Sequence, residues 1–133
     1  MAPKTSTKPV NFSSSTISSA TWTTVMLEQA NQLLKAQGRK TIPITANNIA
    51  NIQRMIEGES AGNQAGFLRD NNPLNLGTWG SPHSGVYGGK IVPEFGIYVN
   101  TFASPLEGAQ ATAKAIVNQS NNSAMLSALQ SNS

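Results

Sequence analysis

Asn51-Ile52-Gln53-Arg54-Met55-Ile56-Glu57-Gly58-Glu59-Ser60 is the stretch around which the chain is organised. Ile49, Ile52, Met55 and Ile56 recur at helical spacing and give one apolar stripe, with Thr45 in position to cap the helix start. Glu57 stands at the border of that stripe and Glu59 continues it, three residues past Ile56, so either acid can face a cleft beside the core. Gly58 is expected to break the helix there. A carboxyl held beside apolar neighbours is disfavoured in its charged form, and a protonated carboxyl is what glycoside cleavage requires of a general acid. The competing interpretation is that both acids are solvated helix-end charges.

Working outward, the loop that follows carries Arg69-Asp70-Asn71-Asn72-Pro73-Leu74-Asn75-Leu76-Gly77. From Ser60 to about Ser84 the chain is glycine-rich, yet Phe67, Leu68, Leu74, Leu76 and Trp79 make it too apolar for disorder. An ordered loop packed over the second helix is expected. Its asparagines suit either backbone hydrogen bonding or ligand binding.

On the N-terminal side, Trp22, Val25, Met26, Ala30, Leu33 and Leu34 form the stripe of a first helix. Ser18 or Ser19 can cap it, and Gly38 supplies a left-handed stop. Residues 1–18, rich in Ser, Thr, Pro and Lys, read as a flexible arm, and residues 19–133 as one domain. On the C-terminal side, Val86 to Val92 reads as a small hairpin turning at Gly88-Gly89, with a further strand over Gly96 to Phe102. Ser104-Pro105-Leu106-Glu107 is the strongest helix start in the chain: a cap, a proline at the first helical position and a capping-box glutamate. Leu106, Ala109, Ala113, Ile116 and Val117 are its inward residues, and Ala124 to Leu129 make a short last helix. The fold class is therefore mainly α with a small β-hairpin.

Composition narrows the function. Only 11% of the 133 residues are charged, against roughly 25% in ordinary chains, so the polar surface is built from Ser, Thr, Asn and Gln. A net charge of +3 favours anionic partners such as nucleic acid or bacterial cell-wall polymers. Arg39-Lys40 is the only adjacent basic pair, which argues against nucleic acid. There is no cysteine, no metal-ligand spacing around the single His83, no secretory signal and no stretch of membrane-spanning length. No cofactor is called for.

Taken together, three pieces resemble the lysozyme-like, peptidoglycan-degrading domains of bacteriophages, found in tail lysins and endolysins and similar to lytic transglycosylases. The pieces are the helix ending in Glu57-Gly58, the Asn71-Asn72-Pro73-Leu74-Asn75 loop, and the Ser104-Pro105-Leu106-Glu107-Gly108 to Thr112 helix start behind an aromatic strand. They come in the family's order and cover roughly residues 45 to 120. The resemblance implies a lysozyme-like fold and cleavage of the β-1,4 bond between N-acetylmuramic acid and N-acetylglucosamine. It also implies a phage virion or host-cell lysis factor acting on the bacterial wall, with peptidoglycan strands and other phage tail proteins as partners.

Within that resemblance the Glu-Gly step matches Glu57, while Glu59-Ser60 matches the Glu-Ser step of transglycosylases. Asn72 and Asn75 would bind N-acetyl groups, and Trp79 and Tyr98 would stack on sugar rings. A hydrolase would add a second carboxylate, for which Asp70 and Glu94 are candidates; a transglycosylase would use the substrate's own hydroxyl. A non-catalytic cell-wall-binding or structural module of a phage particle, on the same scaffold, is the alternative.

Overall fold

A computed structural model describes residues 18–59, 71–74, 87, 89–94 and 97–133, with backbone only at 59, 91–94 and 97–99. Among these residues the protein is mainly helical. Four α-helices run over Ser19–Ala36 (α1), Ala46–Glu59 (α2), Pro105–Asn118 (α3) and Ser123–Gln130 (α4). A two-stranded antiparallel ribbon pairs Lys90–Glu94 (β1) with Ile97–Thr101 (β2). A single 3-10 turn, Ser120–Asn122, separates α3 from α4. Of the expected N-terminal arm, residues 1–17 lie outside the described residues, and Ser18 is the N-cap of α1.

Local chemistry sets the helix ends. The Ser18 hydroxyl accepts from the Thr21 amide at 3.1 Å and opens α1. At the other end Gly38 takes φ 66°; its amide donates to the Lys35 carbonyl and the Arg39 amide to that of Leu34, which closes the helix in a Schellman motif. Thr45 caps α2 by accepting from the Asn48 amide at 3.1 Å. Ser104 caps α3, accepting from the Glu107 amide at 3.2 Å, with Pro105 at the first helical position.

The centre of the molecule is α1. Trp22 through Leu27 are all buried, so this half of the helix is enclosed on every side rather than along one stripe. Its main neighbour is α3, whose Ala109 and Ala113 are fully buried and let the two helices come close. Ile52 and Ile56 of α2 and Leu126 and Leu129 of α4 complete one core. The Trp22 indole donates to the Pro105 carbonyl at 3.1 Å, which joins the first turn of α1 to the first turn of α3 across the interior.

Asparagine and glutamine side chains hold the connections among the described residues. Asn31 grips Ile42 from both sides, its amide donating to the Ile42 carbonyl at 2.9 Å and its oxygen accepting from the Ile42 amide at 2.7 Å. Asn48 is completely buried and donates to the carbonyls of Pro43 and Leu129, which fixes α4 against the α1–α2 link. Gln130 donates to the Lys40 carbonyl at 2.7 Å. A chain so poor in charge thus reads its own backbone with amides.

Two expectations need correction. Gly58 does not end α2, which runs through it to Glu59. The ribbon does not turn at Gly88-Gly89 either: Glu94 pairs with Ile97, so the connection falls at residues 95–96 and Pro93 lies inside β1, opposite Tyr98. Counting from the closing pair, Pro93 falls in the non-hydrogen-bonded alternation, where its missing N–H breaks no ladder bond.

Trp22→Phe removes the buried bond to Pro105 and part of the enclosed surface. Chemical denaturation should show a loss of about 1–3 kcal/mol with no change in helical content.

Candidate functional site

Two of the three segments singled out in the sequence, the Asn-Asn-Pro loop and the helix start behind the strand, meet at the start of α3. Asn71 takes φ 53°, a left-handed backbone that asparagine tolerates better than most residues. It is buried, and its side-chain amide donates to the Phe102 carbonyl at 2.8 Å, at the end of β2. Asn72 is also buried and donates to the Asn100 carbonyl at 3.0 Å, within β2. The Asn-Asn pair therefore staples its segment along the exit of the ribbon.

Gly108, the glycine of the Ser-Pro-Leu-Glu-Gly helix start, explains the other side of this contact. A methyl group there would lie 1.8 Å from the Asn71 carbonyl oxygen, so only glycine lets the loop backbone lie against α3. Gly89 behaves alike. A methyl group at that position would fall 1.8 Å from the Asn100 side-chain oxygen, and Asn100 is buried beneath it. Asn72, Asn100 and Gly89 are thus stacked in one layer, and the glycine that resembled a turn residue is a packing residue.

The acids stand apart from this staple. Glu57 is exposed near the C-terminal end of α2. Glu59 is the last residue of α2 and its backbone lies one seven-residue step beyond the fully buried Ile52, on the line of the core stripe. Its side chain lies outside the described residues, as do those of Glu94 and Tyr98. Tyr98 sits on β2 at the register position opposite Pro93. Asn75, Trp79, Asp70 and His83 lie outside the described residues altogether.

Of the expected sugar-binding residues, then, Asn72 has its amide engaged within the protein. Asn71, which was not singled out for binding, turns out to be the hinge of the arrangement, and its side-chain oxygen is buried without a hydrogen-bond partner among the described residues. Its position before Asn72-Pro73 was the available signal, since an Asn in a tight loop is the residue that best accepts φ > 0. No group of His, Cys, Asp and Glu among the described residues could hold a metal ion, and no described helix is long and apolar enough to cross a membrane.

Two glycines should respond oppositely to the same change. Gly108→Ala should cost about 1–3 kcal/mol or more, because the loop backbone must move off α3. Gly58→Ala meets nothing within 4 Å inside a helix and should stabilise by up to about 1 kcal/mol. Thermal and denaturant unfolding of both variants checks this.

Comparison with protein-family models, with curated proteins and with solved structures finds no match, so the chemistry of this chain rests on its own residues.

Proposed function

We propose that the chain cuts the glycan strands of peptidoglycan at the β-1,4 bond between N-acetylmuramic acid and N-acetylglucosamine, using an acid at the end of α2. The observation that carries this reading is the contact between Asn71 and Gly108. The Asn-Asn-Pro segment and the Ser-Pro-Leu-Glu-Gly segment resemble the same family separately in sequence, and here each supplies the physical reason for the other. Motif pieces that interlock in this way support a shared lysozyme-like scaffold.

In the proposed reaction a helix-end carboxylic acid gives its proton to the glycosidic oxygen as the bond to the anomeric carbon breaks. Glu57 matches the Glu-Gly step and is exposed, so a polymer can reach it. Glu59 is the second candidate, because its backbone continues the buried stripe of α2. The sugar cation is then captured either by water, with a second carboxylate assisting, or by the substrate's own hydroxyl, with the same Glu taking back a proton. Phage particles and lysis factors are the settings in which such a domain acts on a bacterial wall.

One observation favours a second reading. An exposed Glu57 is what a non-catalytic cell-wall-binding module would show, since nothing in binding alone requires a shielded acid.

Glu57→Gln and Glu59→Gln separate these possibilities when the clearing of a cell-wall suspension is followed. The variant at the true acid should lose at least about 100-fold in rate, the other should stay within a few-fold, and both should unfold at the wild-type temperature. Full activity in both variants rules out a helix-end acid. A wild-type protein that binds walls without clearing them establishes the non-catalytic reading.

A further inference from the structure

We infer that the outer face formed by α1 and α3 carries an additional saccharide-binding furrow, away from the end of α2, that holds two consecutive rings of an N-acetylated glycan. The furrow consists of two adjoining recesses. One, of about 160 Å³, is walled by Tyr87, Phe102 and Glu107; the other, of about 190 Å³, is walled by Gln29, Gln32 and Leu33. Gln110 and Lys114 of α3 line both, so the recesses adjoin along α3. No residue of α2 contributes to either.

Tyr87 is the first reason to read this face as a binding site. Among the described residues it is the large hydrophobic side chain left exposed, at 38%. It also holds φ 55°, a left-handed backbone that is costly for a bulky aromatic residue. The ring is partly covered and keeps part of its face open to solvent. A tyrosine standing at the mouth of a recess offers an apolar face to a sugar ring and a hydroxyl to its edge.

The glutamines are the second and independent reason. Elsewhere in the protein glutamine amides serve the fold: Gln37 donates to Asn118, Gln53 to Ser19 and Gln130 to the Lys40 carbonyl. The side chains of Gln29, Gln32 and Gln110 make no hydrogen bond among the described residues, although they come from two helices and converge on one furrow. Each amide presents donors and an acceptor, which suits the hydroxyl and N-acetyl groups of a sugar. The charge is balanced, with Glu107 against Lys114 and no arginine in the lining. That disfavours a polyanion such as nucleic acid, which would require a run of cations.

This inference takes the identity of the polymer from the proposed function, whereas the existence of the furrow does not depend on it. In such a site the strand is gripped along α3 while another part of it meets the acid, which would keep the protein on an insoluble wall between cuts.

The test is a titration of the ¹⁵N-labelled full chain with the N-acetylglucosamine tetramer and, separately, with soluble muropeptides. Backbone and side-chain amide shifts should map to Gln29, Gln32, Gln110 and Tyr87. Gln32→Ala combined with Gln110→Ala should raise the dissociation constant at least tenfold at unchanged thermal stability, since both positions are exposed and alanine favours helix. Tyr87→Gly relieves the backbone, so it should bind more weakly while unfolding at or above the wild-type temperature. Equal response to both ligands identifies the N-acetylated sugar itself as the determinant, and response to muropeptides alone assigns the furrow to the peptidoglycan strand. Shifts confined to the end of α2, or wild-type affinity in the double variant, overturn the furrow. Cleavage without furrow binding leaves the proposed function standing and removes this site; furrow binding without cleavage does the reverse.

Discussion

The close approach of the Asn71 carbonyl to the Gly108 backbone is the constraint on which the arrangement of the molecule's second half depends. A loop can lie flat on a helix only where the helix has no side chain, and only if the loop backbone turns toward it. Gly108 meets the first condition and Asn71, with φ 53°, the second. Once that contact is made, the two side-chain amides of Asn71 and Asn72 fall on the carbonyls of Phe102 and Asn100. The exit of the ribbon is thereby fixed to the helix start, and through the Trp22 indole on the Pro105 carbonyl it is fixed to α1. Each of these bonds is worth on the order of 1 kcal/mol, yet leaving any of the buried groups unpaired would cost more.

A low-charge chain has consequences for how the fold is secured. With only 11% of residues charged, surface ion pairs contribute little, and the connections are held by amides reading backbone carbonyls. Asn31 on Ile42 and Asn48 on Pro43 and Leu129 act in this way. Such contacts are insensitive to salt, which suits a protein proposed to work on a wall polymer outside controlled cytosolic conditions. The same residue types, where the protein leaves them unused, become the natural donors and acceptors for a sugar.

What could be read from the sequence was what is decided locally. Caps and stops are short-range chemistry, so Ser18, Thr45, Gly38 and Ser104-Pro105 gave the ends of α1, the start of α2 and the start of α3 correctly. Glycines were misread where their reason is tertiary. Gly89 looked like half of a turn, but it is glycine because the Asn100 side chain crosses it. Gly58 looked like a stop and lies inside α2. The hairpin was read to end at Val92, but β1 runs on through Pro93 to Glu94, since a two-stranded ribbon leaves room for a residue without an N–H. The asparagines were ambiguous because an amide does the same chemistry for a loop as for a ligand; only their partners distinguish Asn72 from a free donor. The furrow was invisible, since Gln29 and Gln32 meet Gln110 only through the packing of α1 on α3.

The central claim is that this domain breaks glycosidic bonds in the bacterial wall. It is tested most directly by incubating the purified protein with purified peptidoglycan and identifying the soluble products by mass spectrometry. Disaccharide-peptides severed at the bond between N-acetylmuramic acid and N-acetylglucosamine, with either reducing or anhydro ends, are the predicted result, and the kind of end tells water from the internal hydroxyl as the capturing group. The absence of any soluble product from several wall types, while the protein still sediments with them, would contradict catalysis.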